Sequence, residues 1–216
     1  VVAVSRSGGG PEAGEVAAVA ADLASPDSVA AIRDALPPGS LAMAVHAVGL
    51  PASGGVLDVD PSAFAQAVDL KAGGLRRLCD AVMDRVGAGS RIVAVGGHLG
   101  SEPSEHAPLP GVANAALANL VRQLTGPLGR RGGTVHLIAP GPFESPRVER
   151  LIASKAAGEG ISVDEARARM LADYPGGRMP TASDVAWAIT ALLDDHATAL
   201  HGSTVALDAG ARRGLF

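Results

Sequence analysis

The side chains best suited to moving a proton are gathered between residues 98 and 108, where His98, Glu102, Glu105 and His106 share one polar, proline-broken stretch. A histidine titrates near neutral pH, and beside a carboxylate it can serve as acid or base. Glu144 follows Pro140-Gly141 closely enough to join them at the same edge of a sheet. The competing reading is a solvated polar loop. A zinc site does not follow, because His98, Glu102 and His106 lack a third ligand at a fixed spacing. A second candidate is Gly8-Gly9-Gly10. A phosphate cradle needs its glycine turn to run into a helix N-terminus, whereas residues 11–14 lead into another apolar run at 16–20, which favours a flexible loop. Arg6 closes the opening apolar run, where an arginine can meet a 2′-phosphate on a nucleotide-binding strand, and it equally suits an ordinary surface. The single cysteine, Cys79, has no partner for a disulfide or a metal and reads as a small core residue.

The elements that must position these groups centre on residues 91–141. Ile92 to Val95 is a short apolar run that stops at Gly96-Gly97, as a buried parallel strand does. From Val112 the apolar residues Ala113, Ala116, Leu117, Leu120, Val121 and Leu124 recur at helical spacing, which predicts a helix to about Gly129 and leaves Pro110 ahead of it. A second apolar run, 135–139, closes on Pro140-Gly141. Strand, crossover helix and strand make a parallel pair, whose ligands bind beyond the strand ends.

Further strands are expected at 1–4, 16–20, 41–45 and 204–207. Ser25-Pro26-Asp27-Ser28 reads as a capped helix start. Asp60-Pro61-Ser62 opens a long helix to about Val86, thinned by Gly73-Gly74, where something must pack closely because glycine weakens a helix interior by about 1 kcal/mol. More helices are expected from Ser145, over 162–172 and over 183–193. Six strands alternating with helices define an α/β domain with a doubly wound parallel sheet, Rossmann-like and three-layered, spanning residues 1–216 as one domain.

Composition narrows the function. With 18 Lys and Arg against 22 Asp and Glu, the net charge of −4 offers no basic footprint, so no nucleic-acid partner is expected. No apolar stretch is long enough for a membrane span, no signal peptide is visible, and a cytoplasmic protein is expected. Aromatics make up only 2% of the 216 residues, so the core must be built from Ala, Val and Leu. The chain opens on Val1 inside an apolar run, as a trimmed N-terminus or a fragment would.

Taken in order, Asp22-Leu23 after a strand, His46-Ala47-Val48-Gly49, Pro140-Gly141, Gly177-Arg178 with Ser183-Asp184-Val185-Ala186, and Gly202 with Asp208-Ala209-Gly210 resemble the short-chain dehydrogenase/reductase family from its second strand onward. The resemblance implies that the first strand, first helix and glycine-rich phosphate loop of the family are missing here. It implies NADP or NAD as cofactor, with Asp22 and Leu23 over the adenine, His46, Ala47 and Gly49 lining the adenosine side, and Pro140 and Gly141 against the nicotinamide. Without the phosphate loop, weak cofactor binding is expected.

The family's relay, aligned without gaps, puts its serine on Gly97, its tyrosine on Pro110, its lysine on Asn114 and its upstream asparagine on Lys71. The exchange of lysine and asparagine resembles the ketoreductase domains of polyketide synthases. Lys71 and Asn114 are then the surviving relay members, His98 is a substitute acid or base, and Gly97 and Pro110 are vacated positions. Tyr174, the single tyrosine, falls in the expected substrate-lid region and matches no relay position.

Three readings follow. The first is an oxidoreductase of ketoreductase type, on a small carbonyl or acyl substrate, with hydride transfer impaired or lost. The second is a non-catalytic structural or regulatory subunit of a reductase oligomer. The third is a nicotinamide-independent dehydratase, cyclase or isomerase. The two long helices carry more apolar and small residues than one sheet can cover, so a homo- or hetero-oligomer is expected.

Overall fold

The computed structural model describes residues 1–10, 15–50 and 54–214. The apolar runs form six strands: β1 (Val2–Ser5), β2 (Ala17–Ala20), β3 (Met43–His46), β4 (Arg91–Val95), β5 (Thr134–Pro140) and β6 (Thr204–Leu207). The helices are α1 (Ser28–Ala35), α2 (Pro61–Val68), α3 (Gly74–Val82), α4 (Pro108–Gly129), α5 (Pro146–Glu159), α6 (Val163–Leu171) and α7 (Ala182–Ala191). Runs without polar alternation need cover on both faces, and β5 is buried at every position.

All strand pairs are parallel, in the orders β1-β2 and β3-β4-β5-β6. The doubly wound architecture therefore holds, with its six strands in two hydrogen-bonded groups rather than one. Among the described residues β1 and β3 each keep one edge unpaired. Alternation along β4 and β5 divides the core between two faces. Ile92, Ala94, Val135 and Leu137 meet Leu75, Leu78 and Val82 of α3 and Leu117, Val121 and Leu128 of α4. Val93 and Ile138 point the other way, onto Ala188 of α7 and the adjoining Leu192. A separate cluster joins Val148, Ile152 and Ala156 of α5 to Ala166 of α6, Tyr174 and Met179.

Three expectations are corrected. Helix α4 begins four residues before Val112, so Pro110 is the third residue of its first turn and not ahead of it. The first-turn N–H groups of a helix have no internal acceptor, which is why Pro108 and Pro110 do not break it. Helix α1 begins only at Ser28, and Asp27 makes no side-chain cap. Instead Asp22 Oδ1 accepts from the Ala24 N–H and Ser25 Oγ from the Asp27 N–H, so local turns hold the segment. The long helix from Pro61 is real but composite, because one π-helical turn, Asp69–Gly73, joins α2 to α3.

The close neighbour expected at Gly73-Gly74 is His46: a Cβ on Gly74 would lie 3.0 Å from His46 Nε2 and 3.5 Å from Leu23 Cβ. Among the described residues Gly8-Gly9-Gly10 lies between β1 and β2. Residues 11–14, read as leading into β2, lie outside the described residues.

Candidate active site

Strands β4 and β5 end side by side, at Gly96-Gly97 and Pro140-Gly141, and a Cβ on Gly97 would stand 3.7 Å from the Pro140 carbonyl. Lys71 reaches this edge from the π-helical turn. One extra residue in the turn re-aims the side chains that follow it, and such turns recur at functional sites. Lys71 is 5% exposed, and its Nζ donates to the Val95 carbonyl at 3.0 Å. Burial, with the charge of Arg147 second, pulls the ammonium down to about 8. Arg147, in the first turn of α5, itself donates to the Leu50 carbonyl at 2.6 Å.

Asn114 approaches from α4 and is 6% exposed. Its Nδ2 lies 2.9 Å from the point where a Cβ on residue 97 would be. Its Oδ1 is buried with no hydrogen-bond partner among the described residues. Pro110 is buried one turn earlier in the same helix, on the same face. Asn114, Gly97 and Pro140 thus meet at one strand edge, and Lys71 ends on the Val95 carbonyl of the same strand. The sequence reading missed that the position left open by Gly97 is filled by the Asn114 amide. Glycine at 97 was the available signal, since only a residue without a Cβ admits that approach.

The polar loop is placed differently. His98 opens a short 3₁₀ turn, His98–Gly100, directly after Gly97. This turn packs on α4, and a Cβ on Gly100 would meet the Asn114 backbone at 3.0 Å. The His98 side chain makes no hydrogen bond among the described residues. Glu102 Oε1 accepts from the N–H groups of Arg213 and Gly214 at 2.8 and 2.7 Å. The Gly214 bond is the largest cause holding its carboxyl below the usual range, and the pair clips the C-terminal stretch to the loop. His106 and Glu105 are exposed, 3.6 Å apart, and Glu144 is exposed. Among the described residues no three His, Cys, Asp or Glu side chains are grouped to hold a metal. Tyr174 donates to the Pro142 carbonyl at 2.9 Å and anchors the segment after Gly141. Burial pushes its hydroxyl up to about 12. Cys79 is buried and pushed up to about 12 as well, which leaves it inert.

On the side expected to face adenosine, Leu23 and His46 meet over Gly74. Arg77 fixes the corner, pairing with Asp69 at 2.7 Å and donating to the Leu23 carbonyl at 2.8 Å. Asp22 spends one carboxylate oxygen on its own turn. Both ring nitrogens of His46 are buried without partners among the described residues. Burial first, and the charge of Lys71 second, bring its pKa down to about 4, so the ring is neutral. Ala47 and Gly49 are exposed on the loop that follows, and Arg6 is exposed beyond β1. At the other end Gly141 lies against Asp208, with 3.2 Å between a built Cβ and the Asp208 Cβ. A cavity of ≈ 260 Å³ opens beside Gly97 and Asn114, walled by Ala118, Leu137 and Ala139 and reached by Arg212. Sequence spacing gave no sign of it, because its walls come from stretches of the chain far apart in sequence.

A family model described as enoyl-(acyl carrier protein) reductase matches residues 10–212. Over 198 residues the chain is 31% identical to cis-4-hydroxycyclohexanecarboxylate dehydrogenase of Sinomonas cyclohexanicum, covering 89% of this chain and 75% of that protein. Over 99 residues it is 35% identical to 2-(S)-hydroxypropyl-CoM dehydrogenase 3 of Xanthobacter autotrophicus, a match that spans 45% of this chain and only 36% of that relative. The fold superposes on L-sorbose reductase from Gluconobacter frateurii, crystallised with NADPH and L-sorbose, with a TM-score of 0.82 at 20% identity, covering 93% of this chain and 78% of that one.

Proposed function

The chain belongs to the short-chain dehydrogenase/reductase family, and from that premise we propose that it is an NAD(P)-dependent oxidoreductase of ketoreductase type, acting on a small carbonyl or hydroxyl substrate with impaired hydride transfer. The observation that carries this reading is the end of β4, where the buried Lys71 ammonium holds the Val95 carbonyl and the Asn114 amide lies against Gly97, with proline at the position that should present the acid.

A bound nicotinamide would supply the hydride. Pro140 and Gly141 would face it, while Asp22, Leu23, His46, Ala47 and Gly49 would border the adenosine and Arg6 would reach a 2′-phosphate. The strand end fits in that Gly141 has no side chain to stand in front of it, although it packs closely on Asp208; at the other end Ala47 and Gly49 are exposed, while His46 is fully buried against Gly74 and backs the site from behind. The pyrophosphate does not find, among the described residues, a glycine turn running into a helix N-terminus. Binding is therefore weak in this chain.

The chain's own part is to hold the substrate oxygen and deliver a proton. Lys71 is the buried ammonium at this edge, and with a pKa of about 8 it can give up a proton near neutral pH. It is held by a backbone carbonyl, 3.0 Å away, and no side chain at 110 passes the proton on. Losing a positioned acid costs about 10²- to 10⁴-fold in rate, which is the sense in which transfer is impaired. His98 stands next to Gly97 as a substitute of lower rank, without a partner to orient it.

The test is a calorimetric titration with NADPH, followed by consumption of NADPH at millimolar cofactor with cyclohexanone. The expected outcome is a dissociation constant well above the low micromolar range and slow, Lys71-dependent turnover. A low-micromolar constant with turnover in the usual range of about 1–10³ s⁻¹ would contradict the reading.

A further inference from the structure

We propose that the side-chain amide of Asn114 is the group that holds the substrate oxygen, in place of a hydroxyl at position 97, and that the cavity beside it receives a small ketone or its alcohol. The inference rests on the oxidoreductase reading and names the donor that reading leaves open.

Three observations carry it. Asn114 Nδ2 lies 2.9 Å from the built Cβ of Gly97, so the amide occupies the volume that a side chain at 97 would fill. The residue is 6% exposed, lines the cavity of ≈ 260 Å³, and leaves Oδ1 without a partner. An unmade hydrogen bond in such a place costs about 1–3 kcal/mol, a cost the chain would avoid with an apolar residue unless the amide served a ligand. Finally, a primary amide offers both a donor and an acceptor. The orphaned Oδ1 suits the O–H of the alcohol, and the Nδ2 donor suits the oxygen of the ketone.

Ala118, Leu137 and Ala139 make one apolar wall, which suits a compact hydrocarbon body, and Ser101 and Thr204 add two hydroxyls elsewhere on the lining. Arg212 at the rim is already engaged, 3.8 Å from Asp208 and 3.4 Å from Ser101 Oγ, so no charge on the ligand is required.

Cyclohexanone serves as the probe, and the side-chain amide resonances of Asn114, identified by their loss in Asn114→Ala, serve as the readout on the full chain. Should Asn114→Ala not fold, Asn114→Asp keeps the shape and removes the donor. Titration should shift the Asn114 resonances together with the methyl signals of Ala118 and Ala139. Asn114→Ala should weaken binding by about three- to tenfold, the worth of one hydrogen bond. Gly97→Ser alone should also weaken it, because the new side chain displaces the amide, whereas Gly97→Ser with Asn114→Ala should restore it.

Binding needs no hydride transfer, which separates the two claims. Shifted Asn114 resonances without any NADPH consumption would sink the oxidoreductase reading and keep the donor. NADPH consumption with unmoved Asn114 resonances would overturn the donor and keep the reading. A cavity whose methyl signals ignore the ketone, or a double variant that binds no better than Asn114→Ala, also overturns the inference.

Discussion

Lys71 shows how one residue sets both the chemistry and its cost. Its ammonium titrates near 10.5 when free and near 8 in the fold, so folding at pH 7 must bury a charge that burial disfavours. Stability is withheld below the folded value and recovered only as the pH rises through 8 toward 10.5. Lys71→Met should therefore raise Tm at pH 7, by up to about 2–3 kcal/mol of stability. The advantage should fade as the pH approaches 10.5, and residual ketone reduction should disappear. Melts followed by circular dichroism across that range decide it, and a lower Tm at pH 7 would show that Lys71 is a net structural asset. Lys71 stood out in the sequence because its exchange with Asn114 resembles a known relay variant, and the structure buries it on the Val95 carbonyl. The Asn114 amide at Gly97 did not stand out, since residues 17 apart are brought to 2.9 Å only by packing of α4 on the end of β4.

At the scale of elements, the composite helix α2–π–α3 positions Lys71 and closes on His46. Its π turn carries Lys71, and its next residue, Gly74, admits His46 and Leu23. In an isolated helix Gly74→Ala would gain about 1 kcal/mol. Here a Cβ would sit 3.0 Å from a fully buried imidazole, which would have to shift by a few tenths of an ångström. Gly74→Ala should lower Tm, and the same change in a His46→Ala background should raise it, a reversal measurable as a double-mutant cycle. Equal effects in both backgrounds would mean that the contact is not what selects glycine. The sequence exposed the thin spot at Gly73-Gly74 but not its partner. It also misplaced the start of α4, because Pro108 and Pro110 look like breakers until one knows that first-turn prolines sacrifice no hydrogen bond.

Across the whole molecule, alternating apolar runs were enough to read a parallel α/β domain, because buried strands and crossover helices carry distinct periods. The grouping of the strands into β1-β2 and β3-β4-β5-β6 was not readable, since pairing depends on neighbours far apart in sequence. Helices α2 and α4 cover part of each other through Ala67 and Ala113, yet Val112 stays 47% and Trp187 68% exposed. Association is accordingly part of the proposal, and light scattering at tens of micromolar should give a dimer or larger species. A monomer there would remove it. The central claim is that the relay lacks its acid at position 110 while Lys71 and Asn114 still stand at the end of β4. Its most direct test is the rate of NADPH-dependent cyclohexanone reduction by Pro110→Tyr and by the unmodified chain, both at saturating cofactor. The account predicts a gain of about 10²- to 10⁴-fold in Pro110→Tyr, abolished by adding Lys71→Ala. An unmodified chain already turning over at enzyme-like rates, or a folded Pro110→Tyr variant no faster than its parent, would contradict it.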